Sequence, residues 1–189
     1  VVRALELLLD WGFRERGLRT VIWWANKGNW ASRKLAWRLG FTMEGTVRSW
    51  LPQRGELRDG WVGSLLRDEP RAPSAPWYDA PTIHGSRVRL RAFTDASRIR
   101  EACADERTQE WLQEVPRPYT DEHARLFLEN RREMAASGSG LAWAVADPSS
   151  DLLLANVSVF DVNPGREAEI GFWTHPDARG RGVMTEAVR

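Results

Sequence analysis

Over the first residues of the chain the apolar positions Val2, Leu5, Leu8, Leu9 and Phe13 recur every three or four places, and Gly17 follows where a C-terminal cap belongs. That spacing predicts an amphipathic helix over residues 2–16. RTVIWWA, residues 19–25, is a short apolar run rich in β-formers and predicts a buried strand. In NWASRKLAWRLGF, residues 29–41, Asn29 is a natural N-cap, Ala31, Leu35 and Leu39 share a face, and Gly40 ends a second helix. From Phe41 to Leu66 the pattern alternates loosely around PQRGE, residues 52–56, as two strands do around a hairpin turn.

The segment DEPRAPSAPWYDAP, residues 68–81, then interrupts every periodicity, because Pro70, Pro73, Pro76 and Pro81 deny both helix and ladder hydrogen bonds. It reads as an extended linker. Beyond it, RVRLRAF (87–93) alternates basic and apolar residues as an edge strand does, and helical stretches follow near 95–104 and 121–136. LAWAVAD (141–147), LLLANVSVFD (152–161) and EAEIGFWT (167–174) are three further strands, the last running into a glycine-bracketed turn. The order of elements is α+β.

Composition narrows the picture. Lys+Arg 27 against Asp+Glu 26 leaves a net charge of +1, which gives no reason to expect nucleic acid or an anionic membrane surface as the partner. The basic residues are nearly all arginine, spread along the whole chain, a distribution that codon usage explains as well as anion binding does. Cys103 is the single cysteine, so neither a disulfide framework nor a thiolate metal site is expected. His84, His123 and His175 lie far apart without metal-ligand spacing and read as surface or loop residues, so no metal is expected. No apolar run reaches the roughly 18 residues of a membrane span, and VVRALELLLDWGF has no signal-peptide pattern. A soluble, cytoplasmic protein is the expectation.

The turn itself carries chemistry. In ARGRGVMTEAVR, Gly180 and Gly182 remove side chains where the backbone bends, which lets successive N–H groups face one concavity at the head of a helix. Such a concavity suits a pyrophosphate, and Arg179 and Arg181 add charge-assisted donors.

EIGFWTHPDARGRGVMTEAVR resembles the acetyl-CoA-binding segment of the GCN5-related N-acetyltransferase (GNAT) superfamily. That pattern is Arg or Gln, two residues, Gly, one residue, then Gly or Ala. Arg179, Gly182 and Met184 occupy those places, with Met where the family prefers a small residue. NWASRKLAWRLGFTMEGTVRSWLPQRGELRDGWVGSLL is similar to the RimJ/RimL-like, ribosomal-protein alanine acetyltransferase branch, through Asn29, Ser32, Leu39, Gly40, Phe41, Glu44, Gly45, Arg48, Gly55 and Asp59. IHGSRVRLRAFT (83–94) resembles that branch's opening strand, and Trp111, Pro118, Tyr119 and Thr120 its early helices.

The resemblance implies a GNAT acyl-CoA N-acyltransferase fold, α+β, with a mixed central sheet of splayed strands flanked by helices. Here its halves stand in circularly permuted order. Residues 1–67 resemble the C-terminal half of a GNAT domain, 68–81 are the Pro-rich linker, and 82–189 resemble the N-terminal half with the acetyl-CoA loop. GVMTEAVR and VVRALELLLDWGF join into one family helix if Val188-Arg189 is laid over Val2-Arg3. Three readings remain open: a fragment of a tandem two-domain acetyltransferase, a true circular permutant, or a chain that swaps halves between subunits. The halves are expected to close on each other as one permuted domain.

By resemblance, the backbone of Arg179, Gly180, Arg181, Gly182, Val183, Met184 and Thr185 would hold the pyrophosphate, and Phe172, Trp173 and Thr174 would pair with pantetheine. Asn29 would position the cofactor, and Ser32 would protonate the leaving thiolate, though both residue types also cap helices well. Glu169 would act through a water as general base, against the alternative of a solvated strand carboxylate. An α-amine titrates near ~8, so modest help suffices. Glu44 is a second base candidate, or a strand-pairing residue. Of Trp23, Trp24, Trp30 and Trp37, most are expected in the core. The function implied is acetyl transfer from acetyl-CoA to a primary amine, such as a protein N-terminal α-amine or a small molecule. The assemblies it allows are a homodimer or a second tandem copy. The alternative is a non-catalytic acyl-CoA-binding or interaction module.

Overall fold

The computed structural model describes residues 1–94, 96–112 and 114–189. The chain divides into two compact units, Val1–Ala75 and Pro76–Arg189.

In the first unit, helix α1 (Val2–Arg14) is followed by β1 (Thr20–Asn26), α2 (Trp30–Arg38), β2 (Thr42–Gln53) and β3 (Glu56–Leu66). The strands form an antiparallel sheet in the order β1-β3-β2. Arg54 and Gly55 turn the β2–β3 hairpin with φ +50° and +84°, the two left-handed residues of a two-residue turn whose twist matches its strands. Leu9 and Phe13 of α1 pack with Leu39 and Leu65, and Leu65 is fully buried, worth about 1.5–3 kcal/mol. Leu8, expected on that face, is exposed with Leu7 and Trp11. On α2 the buried positions are Arg33 and Ala36, while Ala31 faces solvent, so the inward face is offset from the expected one. Arg33 lies over the rings of Trp30 and Trp61, which lets a charged residue go under at the helix face. Of the four tryptophans, most of them expected in the core, Trp24 is exposed and Trp23, Trp30 and Trp37 are half-buried, because α2 covers the sheet only in part.

The second unit contains β4 (Ile83–His84), β5 (Arg89–Arg91), α3 (Ala96–Ala104), α4 (Glu106–Trp111), α5 (Asp121–Ser137), β6 (Gly140–Ala146), β7 (Leu153–Asn163), β8 (Glu167–Thr174), a 3-10 turn (Pro176–Ala178) and α6 (Val183–Ala187). The start expected for α3, residue 95, lies outside the described residues. Its sheet runs β4-β5-β6-β7-β8, every neighbour antiparallel. The basic-apolar strand β5 is not the edge, since β4 pairs outside it; Arg89 and Arg91 both reach Asp151, which offsets one of their two charges there.

Both faces of this sheet are covered, which is why Leu153, Leu154 and Ala155 are apolar in succession and all buried. One face packs Ile99, Ala102, Cys103, Tyr119, Ala124, Leu153 and Trp173 with α3 and α5. The other packs Val88, Leu90, Val145, Leu154 and Val157 with Ala178 and Val183. Capping fixes the helix ends: Thr120 and His123 form a reciprocal box at the start of α5, and Gly138 closes it at φ +72°. The proline-rich segment has no regular structure but is held in place, with Trp37 Nε1 donating to Ala75 O and, in the second unit, Tyr78 N donating to Ala135 O and Trp143 Nε1 to Pro81 O.

Candidate functional site

The turn between β8 and α6 has two left-handed glycines, Gly180 and Gly182, both at φ +71°. A Cβ added at Gly180 would meet nothing within 4 Å, so the loop is open on that side. No acceptor within hydrogen-bonding geometry meets the amides of Gly180, Arg181, Gly182, Val183, Met184 and Thr185 among the described residues. Six successive free donors around two left-handed residues make an anion-binding concavity, and this is the observation by which the loop fits a pyrophosphate.

The loop is fixed from both sides. Glu186 accepts from Ser86 Oγ at 2.9 Å, Arg87 N at 2.8 Å and Arg87 Nε at 2.8 Å. The Arg87 amide, then its guanidinium, pulls the Glu186 carboxyl down to about 2. On the other side Arg179 pairs with Asp105, and its Nη2 donates to Thr108 Oγ1 at 2.7 Å. The same Asp105 caps α4 through Thr108 N at 2.9 Å, and its pKa is lowered, foremost by the Arg179 guanidinium.

This corrects the expectation for Arg179, whose guanidinium serves as an anchor of the loop; its backbone remains in the turn. Arg181 is exposed and makes no ion pair among the described residues. Val183 is 7% exposed in the apolar core, and Met184 packs against the same cluster, so both offer the loop their amides rather than side chains. Thr185 is exposed.

Strand β8 is the edge of its sheet. His175 N donates to Leu154 O at 2.8 Å, and antiparallel alternation then turns the peptide groups of Thr174 and Phe172 to the free edge. Trp173, expected beside them, instead spends its peptide groups on β7 and buries its ring near Phe127. His175, expected on the surface, is 3% exposed: its Nδ1 accepts from Asp177 N at 3.3 Å and its Nε2 lies 3.3 Å from Glu101 Oε2.

Glu169 is exposed on β8, opposite Phe160 of β7. Period two places it on the row of Gly171 and Trp173. A cavity of about 660 Å³ opens on that face, lined by α4, α5, Asn156, Ser158, Phe160, Gly171 and Trp173 among others. Cys103 on its wall is pushed up to about 11 by burial, partly offset by a hydrogen bond with Tyr119.

Asn29 and Ser32 belong to the first unit. Asn29 Oδ1 accepts from Ser32 N at 3.2 Å, the capping role. Ser32 Oγ accepts from Trp23 Nε1 at 3.0 Å, and its own hydroxyl proton has no acceptor among the described residues, so it remains a donor. Glu44 is bound to Ser64 Oγ across β2 and β3, the strand-pairing role. Among the described residues no cluster of His, Cys, Asp and Glu suits a metal ion, and no helix is long and apolar enough to cross a membrane.

Residues 87–189 match the family model of the acetyltransferase (GNAT) domain. The chain belongs to the GNAT acetyltransferase family. Its fold is the GNAT fold, α+β, with antiparallel sheets flanked by helices. No curated protein matches the chain. Among solved structures, a probable acetyltransferase is 35% identical over 36% of this chain and 38% of its own, with a TM-score of 0.35. A GNAT-family acetyltransferase from Bacillus anthracis is 19% identical over 57% of this chain and 61% of its own, with a TM-score of 0.49. RimL, a ribosomal alpha-N-protein acetyltransferase in complex with coenzyme A, is 20% identical over 56% and 62%, with a TM-score of 0.46. The chain thus spans less than two-thirds of the length of each.

Sequence reasoning missed the anchors of the loop, Ser86, Arg87, Asp105, Thr108 and Glu186. The Asp105-x-x-Thr108 spacing is a capping pattern that could have pointed to one of them. The alternation Asn156, Ser158 inside an apolar strand could have marked the cavity.

Proposed function

We propose that this chain is an N-acetyltransferase that moves the acetyl group of acetyl-CoA to a primary amine, such as the α-amine of a peptide N-terminus, in the cytoplasm. The observation that carries the reading is the run of unpartnered amides from Gly180 to Thr185 on a loop anchored at both ends, within the residues that match the family. Those amides bind the pyrophosphate of acetyl-CoA, with Arg181 as the exposed charge beside them. The peptide groups of Phe172 and Thr174 at the free edge of β8 pair with the pantetheine amides.

In the reaction the amine nitrogen attacks the thioester carbonyl, a C–N bond forms and the C–S bond breaks. Glu169 takes the amine proton through a water, and CoA departs as its thiolate. The order of the halves fits a tandem acetyltransferase or a permuted one, and a homodimer or second tandem copy fits either. Met184, in a place where the family has a small residue, favours one other reading, an acyl-CoA-binding module without turnover.

Calorimetric titration of CoA and of acetyl-CoA, with thiol release on a panel of N-terminal peptides, separates the two. Turnover lost in Glu169→Gln, with CoA binding kept, supports the enzyme. Binding without thiol release on any amine supports the module, and no binding sinks both.

A further inference from the structure

Among the described residues Arg131, on α5, is the only arginine or lysine on the wall of the cavity over β7 and β8. Its Nε is buried without a hydrogen-bond partner, its Nη1 reaches only Met134 Sδ at 3.9 Å, and its guanidinium carbon stands 4.9 Å from the centre of the Phe127 ring. No carboxylate pairs with it among the described residues; Glu114, the one acidic residue on the wall, makes no ion pair with it. Other half-buried arginines of this unit do have a carboxylate beside them: Arg89 and Arg91 share Asp151, Arg98 has Asp177 and Arg179 has Asp105. Burial shifts the Arg131 pKa down, yet a guanidinium stays charged near neutral pH, so a half-buried cation with no carboxylate partner among the described residues borders the cavity. Taking part of that charge out of water without an anion to offset it is unfavourable.

The rest of the cavity says what the missing partner looks like. β7 contributes two buried polar side chains, Ser158 donating to Asn156 Oδ1 at 3.1 Å. Most of the remaining wall is aromatic or aliphatic, from Phe127, Trp173 and Val115 to Trp111, which is 82% exposed at one side. A volume of about 660 Å³ is that of a small-molecule site.

We propose that this cavity binds a small monocarboxylate with an apolar, ring-sized body, its carboxylate on the Arg131 guanidinium and its body against Phe127 and Trp173. One guanidinium balances one negative charge and presents a planar fork that matches a carboxylate; a phosphate dianion would keep an unbalanced charge in the same space. If acetyl transfer is the activity, this ligand is the acceptor, an amine that also carries a carboxylate. That identification rests on the proposed function, whereas the binding does not.

The test is a titration of the full chain, without acetyl-CoA, with phenylacetate, with phenylacetamide as the uncharged analogue and with benzylphosphonate as the dianion. Calorimetry is the readout, and far-UV circular dichroism checks the fold of each variant. Phenylacetate is expected to bind at least about tenfold more tightly than phenylacetamide. Arg131→Gln removes that preference and Arg131→Lys keeps part of it. Equal affinity for acid and amide, or an unchanged phenylacetate affinity in folded Arg131→Gln, overturns the site, and tighter benzylphosphonate overturns the monocarboxylate. If Arg131→Gln does not fold, the acid–amide comparison on the unaltered chain decides. A chain that binds phenylacetate but acetylates nothing sinks the enzymatic reading and leaves this one standing.

Discussion

At the head of α6 Gly182 holds φ at +71°, a conformation that costs an ordinary L side chain about 1–2 kcal/mol. A methyl group there would meet only the Arg87 guanidinium, at 3.5 Å and beyond, which is ordinary contact. The penalty of Gly182→Ala is therefore backbone strain with no steric part. If the loop relieves it by rotating its amides away from the ligand, CoA affinity falls about 5- to 30-fold, since each 1.4 kcal/mol is tenfold. Asparagine tolerates the left-handed region and a β-branched residue resists it most, so affinity should fall in the order glycine, asparagine, alanine, valine. Calorimetric titration with CoA measures this, and thermal unfolding of each variant separates affinity from folding. A Gly182→Val chain that binds CoA as tightly as the parent, with an unchanged Tm, would refute the idea that this turn cradles the pyrophosphate.

Three further outcomes follow from the second unit. The Glu186 carboxyl is held at about 2, below its usual 4.5, so its contribution to stability is complete above 4.5 and is lost as pH falls toward 2. Glu186→Gln should flatten the fall of the unfolding midpoint across that window, and an identical pH profile would count against the Arg87 tether. Cys103 is 2% exposed with its thiol pushed up to about 11, so Ellman's reagent at pH 8 should modify it only after unfolding; rapid labelling of the folded chain contradicts the packing. Ile99, on the inward face of α3, is completely buried, and Ile99→Ala should cost about 2–5 kcal/mol in denaturant unfolding, where a loss under about 1 kcal/mol would mean the site collapses around the gap.

Local signals were legible because they depend on neighbours in sequence. The hairpin at Arg54 and Gly55, the Asn29 cap and the strands β6, β7 and β8 follow from turn chemistry, capping and apolar runs. The glycine turn was equally readable, since only a residue without a side chain rests easily at its positive φ. What distance in the chain conceals is which groups meet. Arg179 looked like a ligand contact because nothing near it in sequence reveals Asp105, 74 positions away. His175 looked superficial because its burial comes from packing against other elements. Trp24 and Leu8 went the other way, apolar residues left exposed where an element covers only part of its neighbour. Arg131 is the plainest case, because an arginine among charged residues of a helix predicts a solvated face, whereas it is half-buried over the Phe127 ring.

Helix α4 is short, six residues from Glu106 to Trp111, or about 9 Å end to end. Its first turn is capped by Asp105, the residue that holds Arg179 at the glycine turn, and its last residue, Trp111, lines the cavity that contains Arg131. The helix therefore ties the anchor of the glycine turn to the wall of the cavity, so that a substitution which unwinds it disturbs both places at once.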